Sequence, residues 1–204
     1  MRNIIVCDFD GTLLNRNSFP LWISFITKRA FLKMNWLLFI RLIWLLFLRK
    51  LLRFSHSFFK RKLIMLNVPQ DYNEEFVISL KPYINQDLIN ILQESTCVMI
   101  LSTAAPSSYA KYLKNIIPFA IDKEYFSYVE KGKLIENYGK EKVTNLLNDF
   151  GKDIDFIVYT DHYEDIPLIT SSKQAYLVNP STVTLNKLQE LNVSYKLLNT
   201  RVLT

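Results

Sequence analysis

Sixty consecutive residues of this 204-residue chain, Gly11 through Gln70, contain neither aspartate nor glutamate. The same stretch holds eleven Lys and Arg, so it carries +11 in a chain of net charge +6, and the remainder carries −5. Cysteine is scarce as well. Cys7 and Cys97 alone exclude a disulfide-stapled scaffold and read as small core hydrophobes of buried strands in a reducing cytoplasm. With four glycines and no Gly- or Ser-rich tract there is no flexible linker, and no repeat points to a solenoid. The length suffices for one good core, so a single domain carrying an insertion is expected. No cleavable signal peptide is expected, because an apolar strand opens almost at Met1.

That strand leads to the most informative residues of the chain. Ile4-Ile5-Val6-Cys7 reads as a buried parallel strand, and Asp8-Phe9-Asp10-Gly11-Thr12 follows it directly. Open α/β sheets bind ligands at the carboxyl ends of their strands. Gly11 lets the chain bend sharply and bring both carboxylates toward one small volume. Crowded acids of this kind are costly unless a cation neutralises them, which implies Mg²⁺.

The pentapeptide resembles the nucleophile motif of the haloacid dehalogenase (HAD) superfamily, which has three further stations, and the chain supplies each in order. Cys97-Val98-Met99-Ile100-Leu101 leads into Ser102-Thr103, with a helix-like stretch from Pro106 to Ile117. Gly139-Lys140-Glu141-Lys142-Val143 opens an amphipathic segment reaching Leu147. The strand Ile154–Thr160 precedes Asp161-His162-Tyr163-Glu164-Asp165, an Asp-x-x-x-Asp pair. Tyr125 to Ile135 reads as a hairpin turning at Glu130-Lys131-Gly132-Lys133. The strand Ala175–Val178 and a helix around Thr184–Leu191 complete the alternation. The resemblance implies an α/β fold: a doubly wound, mainly parallel, Rossmann-like core from residues 1–15 and 85–204, with a helical cap inserted at 16–84.

It also implies roles. Asp8 attacks phosphorus and forms an aspartyl-phosphate; Asp10 protonates the leaving oxygen and later activates water. An acid at position 10 points to phosphate esters, since a leaving halide needs no proton. Ser102, with Thr103 beside it, binds a phosphoryl oxygen near a helix N-terminus, and Lys142 offsets charge on nucleophile and phosphoryl group. Asp8, Asp161, Asp165 and the backbone carbonyl of Asp10 hold Mg²⁺. Lys140 is expected to be a solvated first-turn residue, and His162 a loop residue facing solvent.

The acid-free insertion has a character of its own. It holds Trp22, Trp36 and Trp44 and an apolar run from Met34 to Leu48 interrupted only by Asn35 and Arg41. An ordinary cap helix shows a polar face at a 3.6-residue period; residues 36–48 leave none. A single membrane crossing would separate Asp8 from Ser102, and the return stretch Lys50–Met65 is too short and charged for a second. Residues 20–66 are therefore expected to rest on a membrane surface as an interfacial helical hairpin. Its basic side chains would snorkel, its three tryptophans would sit at the interface and His56 would lie at headgroup level. Such aliphatic density argues against nucleic acid; a partner-protein groove is the other possible cover. Within the superfamily the chain resembles membrane-associated phosphatidylglycerophosphate phosphatases and, more distantly, phosphoserine phosphatases. The latter use an acidic cap residue to receive an ammonium, and the acid-free stretch Gly11–Gln70 supplies none. The expectation is a Mg²⁺-dependent phosphomonoesterase for an amphipathic or lipid-linked phosphate on the cytoplasmic side of a membrane. The alternatives are a cytoplasmic sugar-phosphate or phosphoserine-like phosphatase and a non-catalytic membrane-associated interaction protein.

Overall fold

The computed structural model describes residues 3–200. A seven-stranded sheet lies at its centre, in the order β4-β3-β2-β1-β5-β6-β7. These strands are β1 (Ile4–Cys7), β2 (Val98–Pro106), β3 (Lys123–Glu130), β4 (Lys133–Ile135), β5 (Phe156–Thr160), β6 (Gln174–Val178) and β7 (Lys196–Leu198). All neighbours run parallel except β3 and β4, which form an antiparallel hairpin. Lys131 and Gly132 both take positive φ at its tip, as the tight hairpin turn requires. β1 is short, fully buried and central, pairing with β2 on one side and β5 on the other. The chain thus winds to one side of β1 and later to the other, which makes the carboxyl end of β1 a topological switch point where ligands bind.

Alternation along β1 splits the core in two. Ile4 and Val6 face a cluster with Phe156, Val158, Leu168, Leu177 and Leu188, covered by the helices α7 (Lys140–Phe150), α8 (Ile166–Ser171) and α9 (Thr182–Glu190). Ile5 and Cys7 face the opposite cluster, shared with Leu88, Leu92 and Tyr109, which belong to α5 (Gln86–Gln93) and α6 (Ser107–Ala110). Cys7 is buried as expected; Cys97 is half-buried and lies one residue before β2.

Between β1 and α5 the chain forms four helices, α1 (Ser18–Leu32), α2 (Trp36–Leu52), α3 (His56–Ile64) and α4 (Gln70–Ser79). Leu14 bridges to Ile84, so the insertion leaves and returns at adjacent points. Its packing corrects one expectation. Trp22 is fully buried, with its indole N–H donating to Asn73 Oδ1 at 2.8 Å, and so cannot sit at a lipid interface. Ile26 and Ala30 of α1 and Phe59, Lys60 and Leu63 of α3 are buried as well. In α2 only Leu38 and Leu42 are buried; they dock on the same core while the opposite side of the helix stays open. The exposed apolar surface is therefore the α1–α2 turn and the outer side of α2, not residues 20–66 as a whole. Among the described residues no helix is long and apolar enough to cross a membrane.

Two elements differ from the sequence reading. β2 runs past Ser102 to Pro106, with a register break between them. The expected helix from Pro106 to Ile117 is one α turn followed by a 3₁₀ turn at Leu113–Asn115. Tyr109, Ala110, Leu113, Ile116 and Ile117 are buried at helical spacing, but the bonds Tyr112 N–H to Tyr109 O and Ile116 N–H to Leu113 O tighten the backbone to three-residue rings.

Candidate active site

The carboxyl ends of β1, β2 and β5 open into a cleft of about 830 Å³ lined by Asp8, Asp10, Gly11, Thr103, Lys142, Asp161 and Asp165, with His56 and Lys60 from α3. Asp8 continues β1, its N–H still bonded to the Tyr159 carbonyl of β5 at 2.9 Å. The sheet therefore fixes the carboxylate at the cleft floor. Lys142, in the first turn of α7, is buried and places its Nζ 2.7 Å from Asp8 Oδ1 and 2.8 Å from Asp165 Oδ2. Thr160 donates to that same Asp165 oxygen at 2.7 Å. Lys140, two residues earlier, is exposed. Glycine at 139, with φ of +54°, takes the left-handed turn that starts α7. Burial works against the Lys142 charge, but Asp165 and Asp8 outweigh it and raise the ammonium pKa.

Asp10 is held differently. Its Oδ1 accepts the Ser18 N–H at 2.7 Å, so a half-buried carboxylate sits on the positive end of α1. Ser18 Oγ in turn shares a 2.7 Å bond with Tyr109 OH. Burial, eased by the Ser18 bonds, pushes the Asp10 carboxyl up to about 6. Gly11 then turns at φ +78° directly beneath the Asp161 carboxylate. Asp161 makes no ion pair among the described residues; burial first, and Asp165 second, push it up to about 7. Burial also raises the Asp8 carboxyl, with Lys142 opposing and Asp165 and Asp161 adding to the shift.

Burial leads each of the three raised carboxyls, and among the described residues Lys142 is the ammonium ion-paired to the group, through Asp8 and Asp165. The donor set suits a divalent cation: Asp8, Asp161 and the Asp10 carbonyl would hold it, while Asp165 is ion-paired to Lys142. No three His, Cys, Asp or Glu side chains among the described residues are gathered into a closed cage. Mg²⁺, which keeps several waters and takes one or two carboxylates, needs no such cage.

The second station is less exposed than expected. Thr103 lines the cleft, whereas Ser102 lies behind it, 1% exposed. Asn137 Nδ2 donates to Ser102 Oγ at 3.0 Å and also reaches the Thr103 and Tyr125 carbonyls. Ser102 Oγ thus accepts from Asn137 just behind the cleft wall. Asn137 is itself held by Asn145 through a 3.0 Å bond to its Oδ1.

Sequence reasoning missed Asn137, Ser18, Tyr109 and Lys60. Lys60 Nζ donates to the Ala104 carbonyl at 2.8 Å, Ser127 Oγ at 3.2 Å and Glu136 Oε1 at 2.8 Å. His56, expected at headgroup level, instead lines the cleft against the Phe19 ring at 5.5 Å, its pKa lowered by burial and then by Lys60 and Arg49. The spacing His56–Lys60 places both on one face of α3, the one signal that could have found them. His162, expected to face solvent, lines the cleft mouth and accepts the Glu164 N–H on Nδ1 at 3.3 Å. No acid of the insertion lines the cleft, but the core supplies Glu136 and Glu164 to the wall. Glu136 is occupied by Lys60 and by the Ser57 hydroxyl at 2.7 Å.

Comparison with known proteins bears on the fold and the family. No curated protein matches the chain in sequence. A protein of unknown function from Bordetella pertussis Tohama I superposes with TM-score 0.75 at 16% identity, covering 96% of this chain and 98% of the other. A phospho-aspartyl intermediate analogue of phosphoserine phosphatase superposes with TM-score 0.57 at 14% identity, covering 96% and 93%. A probable phosphoserine phosphatase of Vibrio cholerae gives TM-score 0.63 at 12% identity, with 98% of this chain on 61% of that one. The family model of haloacid dehalogenase-like hydrolases matches residues 5–170, a span that holds every residue of the cleft, and the chain belongs to that family.

Proposed function

We propose that this chain is a Mg²⁺-dependent phosphomonoester hydrolase that works through a phosphorylated Asp8. The observation that carries the reading is the division of labour between two aspartates on one turn. Lys142 holds Asp8 Oδ1 at 2.7 Å and leaves Oδ2 free to attack. Asp10, near pKa 6, can both give and take a proton near neutral pH. Asp8 Oδ2 attacks phosphorus, the ester P–O bond breaks, and the Asp10 carboxyl protonates the departing alkoxide. The Asp10 carboxylate then takes a proton from water; the hydroxide attacks phosphorus and releases inorganic phosphate and free Asp8. The Ser102 hydroxyl, positioned by Asn137, and Lys142 bind phosphoryl oxygens, with Thr103 on the adjacent wall. Mg²⁺ held by Asp8, Asp161 and the Asp10 carbonyl supplies charge neutralisation for the incoming anion.

The substrate is a phosphorylated small molecule that fits a cleft of about 830 Å³. The likeness to phosphoserine phosphatases supports a compact polar substrate; the open apolar side of α2 supports an amphipathic one. The test is a phosphate-release screen of sugar, amino-acid and lipid phosphates on the wild type and Asp8→Asn. Asp8→Asn should lose at least ~10³-fold while its fold persists. A covalent phosphoryl group trapped on Asp10, or full turnover by Asp8→Asn, would reject the assignment.

A further inference from the structure

From the outer face of α2 we infer that this protein docks on the surface of an anionic lipid bilayer. At about 100° per residue, Trp36, Ile40, Trp44, Phe47 and Leu51 fall on one side of the helix, opposite the buried Leu38 and Leu42. Each of those five is close to half exposed or more. The strip spans about 26 Å, at 1.5 Å per residue over seventeen residues. At the N-terminal end the apolar surface widens. Phe31 lies 5.6 Å from Trp36 and 5.4 Å from Phe39, ring to ring, and Met34, at the turn, is 70% exposed.

Charge decides what covers it. Arg41 and Lys50 flank the strip on opposite sides at helical spacing, both exposed, and Arg53 caps the C-terminus. No acid occurs between Gly11 and Gln70. A second copy of the same surface would set Arg41, Lys50 and Arg53 against their own copies with no acid on the strip to pair them, and a nucleic acid would leave the apolar strip wet. An anionic bilayer satisfies both features: aliphatic and indole side chains enter the acyl boundary while flanking basic groups stay among headgroups. The helix cannot enter further, because Leu38 and Leu42 tie it to the protein core. The inference is independent of the chemistry proposed for Asp8.

The test is co-sedimentation of the full chain with phosphatidylcholine vesicles made with and without phosphatidylglycerol. The wild type should bind the anionic vesicles, bind neutral ones more weakly, and lose binding as salt rises. Ile40→Glu with Phe47→Glu should lower partitioning at least ~10-fold, with Tm and hydrolysis of a soluble aryl phosphate unchanged, because both side chains are exposed. Arg41→Gln with Lys50→Gln should remove the preference for anionic vesicles but keep the weaker neutral binding. Three results would overturn the inference: a wild type that ignores anionic vesicles, a glutamate variant that binds them as well as the wild type, or a vesicle-indifferent dimer that the glutamates convert to monomer.

Discussion

A Cβ on Gly11 would collide with the Asp161 carboxylate, meeting both Oδ2 and Cγ. Position 11 also requires φ of +78°, which an L side chain adopts only under strain. Glycine therefore lets the turn after β1 pass under the end of β5, and it sets the spacing between the two aspartate-bearing loops. Gly11→Ala must push Asp161 away or unbend the turn that carries Asp10. An error of about 1 Å at reacting groups costs on the order of 10²-fold. The expected result is a fall of that size in kcat/KM with a folded protein, and a crystal structure of the variant should show Asp161 moved. Unchanged activity would disprove the spacing role.

Asp161→Asn separates the charge of that residue from its shape. The folded protein raises the Asp161 pKa from 3.8 to about 7, so the folded state binds more protons than the unfolded chain between those values. Asp161 thus costs nothing below about pH 4, costs increasingly as pH rises toward 7, and costs most above it. In chelator at pH 8 the asparagine variant should be more stable by ~1–2 kcal/mol, read as a Tm several degrees higher. Added Mg²⁺ should raise the wild-type Tm and leave the variant unmoved. Equal Mg²⁺ stabilisation of both proteins would remove Asp161 from the cation site.

Asp10, at about 6, makes a prediction about leaving groups. An alkoxide must be protonated as it departs, whereas a nitrophenolate need not be. The ratio of kcat/KM for an alkyl phosphate to that for p-nitrophenyl phosphate should therefore fall as pH rises through about 6, approaching tenfold per pH unit above it. Dividing one profile by the other cancels the titration of groups that both substrates need. A flat ratio would show that Asp10 is not the acid.

The strand and pentapeptide at Ile4–Thr12 were legible because burial and chemistry are written there in consecutive residues. Lys142 and Asp161 followed, since each stands at a helix start or strand end marked by its own apolar pattern. The open side of α2 was legible for a related reason: a helix with no polar face must leave some apolar side chains uncovered. Which side stays covered was not legible, because Leu38 and Leu42 are chosen by the shape of Phe59, Phe76 and their neighbours across the core. Asn137 and Lys60 lie beyond single-sequence reasoning for the same cause. Each is an isolated polar residue with a key partner, Ser102 for Asn137 and Ala104 for Lys60, more than thirty positions away, brought in by sheet and hairpin packing. Nothing in the sequence around Ser18 marks it, because its N–H meets Asp10 only once the chain has bent after β1.

The three bonds of Lys60 carry a mechanical consequence. An ammonium 3% exposed and shared among a β2 carbonyl, a β3 hydroxyl and the Glu136 carboxylate cannot be withdrawn without stranding charge in a dry environment, at a cost of several kcal/mol. α3 is therefore riveted to the sheet and serves as the fixed jaw of the cleft. Any breathing that admits substrate and releases phosphate has to hinge elsewhere, in the loops bearing Arg16 and His162 on the rest of the rim.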